Sequence, residues 1–303
     1  SMVRFLYNIL IPLLIPGALI RLWFRGRAEP AYRHHLAERF GHLPSNLGAG
    51  ADIWLHAVSA GESIAAAPLI EALLARGHTL VLSTTTPTGR AQLMRQFSGR
   101  AVICYGPFDV PRCIKRFLNQ VRPKLALMIE TEIWPNWTTA CASRGIPVAL
   151  LNGRLSERSF SGYQKLGSMM RATLRQFSWI AVQSTAHANR FTALGATADQ
   201  LSVTGSIKAD QVLPADFIEQ VAMIQAKCAH RPLLLAASTH PGEEEILLAS
   251  FKALKVAHPD LLMVLVPRHV QRAIALKTLS AELGLVSCRA TLDRVAEDTD
   301  VII

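Results

Sequence analysis

Short apolar runs alternate with helix-length amphipathic segments along most of the chain. In the first two thirds these runs predict six strands, at 53–58, 79–83, 101–104, 124–129, 146–151 and 178–182. After a looser stretch near 209–220, a further series predicts strands at 232–237, 261–266 and 299–303, with helices at 242–257 and about 270–283. Strands that alternate with helices pair in parallel through βαβ units. The pattern therefore predicts an α/β protein with two Rossmann-like domains, and the C-terminal one is truncated after three or four strands.

The segment before the first strand is almost wholly apolar from Phe5 to Ile20. As a helix it would span roughly 24 Å, somewhat short of a hydrocarbon core of about 30 Å, and Pro12 and Pro16 would kink it. Two interpretations stay open, a membrane-anchoring or embedded segment and a helix buried against the domain. We divide the chain into an anchor (1–24), an N-terminal domain (25–208) and a C-terminal domain (209–303).

Charge and cysteine content narrow the class of protein. The 303 residues carry a formal net charge of +10 with a pI near 9.8, which predicts attraction to polyanions such as nucleic acid, an anionic membrane or a phosphorylated substrate. Arginines follow the apolar segment at 21, 25, 27, 33 and 39, a distribution that favours a cytoplasmic position next to anionic headgroups. No recognition motif for nucleic acid is present.

The five cysteines have no metal-ligand spacing, so we expect reduced core thiols and no metal site.

Acidic residues follow two of the predicted strands. The stretch HAVSAGES holds a capping box, in which Ser59 caps a helix and Glu62 bonds back to it. Glu62 also lies just beyond the first strand, at the sheet edge where open parallel sheets bind ligands. Glu130 and Glu132 follow the strand at 124–129 in the same way, although acidic residues also favour helix N-termini. A role in helix capping and a role in a site are both compatible with these positions.

Three further segments place polar groups between a strand and a helix. STTTPTGR, at 83–90, offers hydroxyl and N–H groups that suit phosphate or sugar, or simply a Thr-capped helix. In the C-terminal domain AASTHPGEEE places Ser238 and Thr239 at a helix start, and VPRHV brings Arg268 and His269 to the end of the next strand. These residues suit a phosphate and a base, and a solvated basic loop is the alternative.

Taken together, these motifs resemble one family. PAYRHHLAERFG, IWLHAVSAGES, TTTPTG, RPKLALMIETEIWPN, GIPVALLNGRLSERS, AASTHPGEEE and VPRH are similar to segments of the Kdo (3-deoxy-D-manno-octulosonic acid) transferases. The resemblance runs from Phe5 to Ile303. It implies a membrane-associated, inverting GT-B glycosyltransferase that moves Kdo from CMP-Kdo to the lipid A precursor, at the cytoplasmic face of the inner membrane. No cofactor and no nucleic acid are implied.

The resemblance also assigns roles to individual residues. It makes Glu62 the general base that takes the proton of the acceptor hydroxyl. The acceptor-binding residues are then Ser59, Gly61, Thr86, Glu130 and Arg154. The donor-binding residues, which hold CMP-Kdo, are Ser238, Thr239, Pro267, Arg268 and His269.

Some positions depart from the family pattern, at Ala60, Gly153 and Ser206, and the last of these puts a donor contact in doubt. The family also continues beyond DTDVII, so we expect this chain to bind CMP weakly or not at all and to transfer no Kdo. Two alternatives remain: a non-catalytic fragment that binds the acceptor and docks on the membrane, and another GT-B sugar-nucleotide enzyme such as a heptosyltransferase or an epimerase.

Overall fold

The computed structural model describes residues 2–43, 50–213, 215–228, 231–290 and 295–303. Contacts along the backbone divide the chain into two compact units, one ending at Val212 and one beginning at Leu213. This boundary lies within the stretch 209–220 that the sequence marks as loose.

The first unit is built on a seven-stranded, fully parallel sheet. Its strands are β1 (Ile53–His56), β2 (Leu80–Thr84), β3 (Val102–Tyr105), β4 (Leu125–Ile129), β5 (Val148–Gly153), β6 (Trp179–Val182) and β7 (Leu201–Val203). Their order is β3-β2-β1-β4-β5-β6-β7. The chain builds outward from β1 to β3 and then returns to the other side of β1. The switch point of the sheet, where open α/β folds bind ligands, therefore lies between β1 and β4.

The second unit has its own parallel sheet of four described strands. These are β8 (Leu233–Thr239), β9 (Leu262–Pro267), β10 (Ser287–Cys288) and β11 (Val301–Ile302), in the order β10-β11-β9-β8. The register of β8 on β9 shifts between Ala237 and Thr239. Ser238 is the extra residue of this bulge, with φ at 60°.

Eleven α-helices connect the strands in the described parts of the chain. Those of the first unit are α1 (Met2–Arg25), α2 (Ala60–Ala75), α3 (Pro87–Phe97), α4 (Pro111–Val121), α5 (Pro135–Ala142), α6 (Glu157–Gln164), α7 (Gly167–Leu174) and α8 (Thr185–Leu194). Those of the second are α9 (Phe217–Lys227), α10 (Glu243–Ala257) and α11 (Ala273–Glu282). Proline at the first position of α3, α4 and α5 suits a helix start, because its missing N–H would have no partner there.

The first sheet is covered on both faces, so its central strands are buried throughout and largely apolar. All residues of β1 and β2 are buried, as expected for a parallel sheet between two helical layers. Trp54 of β1 lies with its ring centroid 4.7 Å from that of Phe117 and 5.0 Å from that of Trp137. All five cysteines are buried and free, in agreement with the prediction of core thiols.

Helix α1 has no buried residue, although it contacts the first unit along one side. Near its start, the Tyr7 hydroxyl donates to Asp109 (2.6 Å) and the Asn136 amide donates to Asn8 (2.9 Å). Near its end, the Arg33 guanidinium donates to the Trp23 carbonyl at 3.0 and 3.2 Å. The other side of the helix leaves large apolar side chains exposed. By length and composition α1 is the single described helix that could cross a membrane.

All six strands predicted for the first unit are present, and the differences lie at the periphery. The sequence pattern missed β7, which has three residues and is exposed at two of them, and β10, which has two residues. Such short elements contain too few residues to show an alternating pattern. Helix α9 begins at Phe217, inside the stretch expected to be a linker. The predicted helix at 270–283 begins as a 3₁₀ turn at Val270–Arg272 and becomes α-helical at Ala273.

Candidate active site

The loops that follow β1 and β4 meet at the switch point of the first sheet. Glu130, directly after β4, adopts a left-handed backbone conformation (φ 67°), and so does Asn152 near the end of β5 (φ 55°). Residues other than glycine rarely adopt this conformation, and when they do they cluster at functional sites. The Glu130 amide donates to the Leu151 carbonyl (2.8 Å), which fixes the loop against β5. The backbone is thus held in a strained geometry at the sheet edge where the sequence predicts the site.

Glu62 lies on the first turn of α2, which begins immediately after β1. The predicted cap is confirmed, since the Glu62 amide donates to the Ser59 hydroxyl (3.3 Å), but the Glu62 carboxylate accepts from the amide of Val58 (2.7 Å), one residue before the N-cap, and not from that of Ser59. Burial and, to a smaller extent, the nearby charges of Glu130 and Glu132 outweigh the Val58 hydrogen bond and raise the pKa of Glu62 to about 7. Glu62 is therefore both a helix-capping residue and a carboxylate that changes charge near neutral pH.

A buried histidine supports the second of these neighbouring carboxylates. His56, 1% exposed, places Nε2 3.5 Å from an oxygen of Glu132, and the Trp134 indole also donates to Glu132. On the other side of the ring, Nδ1 lies 2.7 Å from the Ser83 hydroxyl, which accepts a hydrogen bond from the Trp54 indole (2.7 Å). Nε2 has no hydrogen-bond partner in the described parts of the chain, and its approach to Glu132 is a longer electrostatic contact.

The remaining acceptor residues predicted from the sequence lie at the same edge of the sheet. Thr86 caps α3, accepting from the Gly89 amide (3.0 Å), and its own hydroxyl donates to the Val58 carbonyl (3.3 Å). Gly61, on the exposed first turn of α2, leaves open space beside Glu62. Arg154 follows β5, and its carbonyl accepts from Thr131 (2.5 Å) while its side chain is exposed.

The five residues predicted to bind the donor come together within the second unit. The Arg268 amide donates to the Thr239 carbonyl (2.9 Å), so the ends of β8 and β9 are adjacent. Pro267 pairs with Thr239 in the sheet, and His269 follows it on the connecting loop. Ser238 occupies the strained bulge position described above. This unit therefore also presents a polar, basic loop at the carboxyl edge of its sheet.

The start of α10 does not offer the free donors that its sequence suggests. The His240 amide donates to Glu243 (2.9 Å) and the Gly242 amide to Glu245 (2.6 Å), so carboxylates of the helix occupy both groups. The Thr239 hydroxyl donates to Glu244 (3.2 Å), a fully buried carboxylate. The loop after β9, with Arg268 and His269, is consequently the cationic part of this edge.

Sequence reasoning missed several polar residues that shape the site. His56 received no role from the sequence pattern, although its position at the end of β1 was a signal. Glu244 and its ion pair with Arg272 were also missed. Gly106 is required next to His56, because a Cβ at this position would lie 2.8 Å from the imidazole Cε1. Among the described residues no cluster of three metal-ligating side chains is found.

Comparison with known proteins agrees with this architecture. Residues 34–211 match the family model of the 3-deoxy-D-manno-octulosonic-acid transferases (kdotransferases). The chain is 36% identical over 305 residues to the 3-deoxy-D-manno-octulosonic acid transferase of Haemophilus influenzae, covering 99% of the chain and 71% of that protein. It is also 36% identical over 280 residues to the enzyme of the same name from Bordetella pertussis, covering 89% and 65%.

Two more distant comparisons complete these findings. The probable mitochondrial 3-deoxy-D-manno-octulosonic acid transferase of Arabidopsis thaliana is 32% identical over 260 residues, covering 83% of the chain and 58% of that protein. The chain thus spans between 58% and 71% of the length of these three relatives. Among solved structures, the UDP-GlcNAc 2-epimerase from Neisseria meningitidis bound to UDP-GlcNAc matches with a TM-score of 0.55 at 14% identity, covering 83% of the chain and 71% of the epimerase.

The two parallel sheets and these structural neighbours define the GT-B class, in which glycosyltransferases and sugar-nucleotide epimerases share one architecture, and the predicted fold class is confirmed. Within that class, the chain belongs to the Kdo transferase family, whose members are glycosyltransferases of lipopolysaccharide biosynthesis.

Proposed function

We propose that the protein carrying this sequence is an inverting glycosyltransferase that transfers Kdo from CMP-Kdo to the phosphorylated lipid A precursor, with Glu62 as general base. The observation that carries this proposal is the geometry of Glu62, a carboxylate with a pKa raised to about 7 at the switch point of the sheet, beside two further glutamates. A general base is most effective when its pKa lies near the working pH.

In the proposed step, Glu62 takes the proton from the acceptor hydroxyl while the hydroxyl oxygen attacks the anomeric carbon of Kdo. The bond from that carbon to the phosphate oxygen of CMP breaks, and CMP leaves as a phosphate anion that needs little help from an acid. Attack from the face opposite the leaving group inverts the configuration. Glu130 lies on the acceptor side, where an ionised carboxylate can accept hydrogen bonds from sugar hydroxyls.

The donor side of the proposal rests on the second unit. Arg268 offers a planar guanidinium suited to phosphate oxygens, and His269 follows it on the same loop. The carboxylates at the start of α10 leave this loop as the cationic part of the edge. Ser238 and Pro267 then contribute to the shape of the donor site, and Thr239 holds the loop through Glu244.

We also infer that α1 lies in the membrane surface and does not cross the bilayer by itself. Its contacts with the first unit extend from Tyr7 to Trp23, a distance of roughly 24 Å along a helix axis. A helix attached to the domain over this length presents one side to the protein and the other to lipid. With Arg21 and Arg25 exposed at its end, this arrangement suits the cytoplasmic face of the inner membrane.

The direct test is the substitution Glu62→Gln in a complete enzyme, with a transfer assay that supplies CMP-Kdo and the lipid acceptor. Gln can retain the capping contacts but cannot accept the proton, so we expect a loss of about 100-fold or more in kcat. The melting temperature should stay the same or rise slightly. Glu71→Gln, on the same helix but exposed and paired with Arg100, is the matched control and should keep normal activity. Near-normal turnover by Glu62→Gln would leave Glu62 as a capping residue only.

A further inference from the structure

A pocket lies between α1 and the carboxyl edge of the first sheet. Its volume is about 260 Å³, and its walls are mostly apolar. Helix α1 forms one wall, and the loops after β2, β3 and β4 form the others. The helix contributes Ile11, Leu14, Ile15 and Ala18, and the loops contribute residues that include Phe108, Trp134 and Trp137.

Two buried hydrogen-bond donors on the pocket-lining residues have no partner in the described parts of the chain. They are Nε of Arg39 and Nε1 of Trp137, on side chains 5% and 4% exposed. Arg39 is held in place by its other groups, since Nη2 donates to the Thr85 carbonyl (2.8 Å) and the guanidinium lies 4.0 Å from the centroid of the Tyr105 ring. Both atoms are enclosed by protein although the pocket beside them is open, so they belong to the packing of its wall.

The acidic residue of the same pocket, Asp109, is already hydrogen-bonded to neighbouring groups. The Asp109 carboxylate accepts from the Tyr7 hydroxyl (2.6 Å) and from the backbone amides of Asn136 (3.1 and 3.2 Å) and Trp137 (3.0 Å). Its oxygens are therefore committed to neighbouring donors. The pocket therefore offers mostly apolar walls, which are complementary to a hydrocarbon chain.

The pocket adjoins the candidate active site through short connections. Trp134, in the pocket wall, donates to Glu132 of the acidic cluster. On the other side, the Thr85 amide donates to the Val58 carbonyl (3.1 Å), and the Val58 amide donates to the Glu62 carboxylate (2.7 Å). A molecule whose sugar reached Glu62 would thus have this pocket as the nearest apolar cavity on the membrane-helix side.

We propose that this pocket holds one acyl chain of the lipid acceptor, packed between α1 and the apolar side chains of the loops. The inference rests on the proposed function and specifies how that site recognises a lipid. The volume lies slightly below the roughly 300–1,000 Å³ usual for ligand pockets and suits a single chain, not a whole lipid. Because α1 forms the wall, a chain can enter from the apolar surface that the helix exposes, without crossing water.

The test uses photo-crosslinking with the full chain and an acceptor lipid that carries a diazirine in one acyl chain. We expect labels on Ile15, Phe108 and Trp134, mapped by mass spectrometry. Ala18→Phe fills the pocket from an exposed helix and should abolish these labels. The same variant should raise the KM for the acceptor about tenfold with little change in kcat, because positioning of the lipid and not the chemistry is lost.

Matched variants separate the pocket from general effects on α1. Leu13→Phe places the same ring on the exposed side of the helix and should leave labelling and KM unchanged. Ile11→Phe fills the pocket from another position and should repeat the effect of Ala18→Phe if that variant loses its fold. Glu62→Gln should label like the unsubstituted protein.

The outcomes distinguish the proposal from its alternatives. Labels outside the pocket, or labelling that both pocket-filling variants retain, would overturn it. A second experiment uses phosphatidylglycerol that carries the same diazirine. If this lipid labels the pocket equally and excess acceptor lipid does not displace it, the pocket holds a bulk membrane lipid and the proposal is overturned. If pocket labelling is intact but a complete enzyme without substitutions transfers no Kdo to this lipid, the proposed function fails while the acyl pocket stands.

Discussion

At the scale of single residues, Glu62 combines structure and chemistry in one side chain. One carboxylate oxygen accepts from the Val58 amide, which favours the ionised form, yet burial and the charges of Glu130 and Glu132 outweigh this effect and raise the pKa to about 7. The Trp134 indole donates to Glu132, and His56 Nε2 lies 3.5 Å from it, so two side chains hold this carboxylate beside Glu62.

This arrangement predicts a specific pH dependence of transfer. A general base acts when it is deprotonated, so kcat/KM should rise tenfold per pH unit below about 7 and level off above it. Glu130→Gln or Glu132→Gln removes a negative charge beside Glu62, lowers its pKa and should move the rising limb to lower pH. Profiles recorded from pH 5 to 9 would measure the shift, with Glu71→Gln as control. A rising limb that stays in place in both variants would argue against electrostatic tuning by these residues.

Sequence predicts the residues of this site better than their partners. Ser59 and Glu62 are three positions apart, so the cap follows from spacing alone. The contact of Tyr7 with Asp109 joins residues 102 positions apart, and only the fold brings them together. The same holds for the unpartnered donor of Arg39, because the sequence pattern does not show which polar side chains become enclosed by a helix packed across a sheet edge.

At the scale of elements, α1 is a helix that faces protein on one side and presents apolar side chains on the other. Phe5, Leu13 and Leu14 are each about two thirds exposed (67%, 68% and 65%). An exposed apolar surface of this kind marks a binding or membrane-contacting face. The buried-helix interpretation does not agree with a helix of which no residue is buried.

Removal of residues 1–24 should therefore move the protein from the membrane fraction to the soluble fraction without unfolding the first unit. The core clusters of this unit contain no residue of α1, so the melting temperature should fall only modestly as the hydrogen bonds to Tyr7 and Asn8 are lost. Fractionation with circular dichroism would measure both effects.

A point variant separates membrane contact from contact with the domain. Leu13→Asp disrupts the exposed apolar face but leaves Tyr7 and Asn8 in place, and it should weaken membrane association too. A shortened chain that aggregates or loses its cooperative melting would show instead that α1 belongs to the fold.

At the scale of the whole molecule, two sheets present different chemistry at their carboxyl edges. The first edge has three neighbouring glutamates, and the second has Arg268 and His269. The apolar helix and the exposed arginines that follow it belong to the first unit, which also carries the proposed acceptor site. A net charge of +10 then favours surfaces rich in anionic headgroups, where a phosphorylated lipid acceptor would be found.

The charge distribution predicts a membrane interaction with two separable parts. Binding to vesicles that contain phosphatidylglycerol should weaken several-fold between 50 mM and 500 mM NaCl in a sedimentation assay, since salt screens exposed charges. Binding to neutral vesicles, which depends on the apolar face of α1, should change little.

Replacing Arg25 and Arg27 by Gln should weaken binding to anionic vesicles most at low salt, because each cation near such a surface contributes about 1 kcal/mol. The control is the double variant Arg76→Gln with Lys124→Gln, at the amino edge of the same sheet. It removes as much charge and should have a much smaller effect. Equal losses in both double variants would mean that net charge alone, and not the basic end of α1, directs the protein to the membrane.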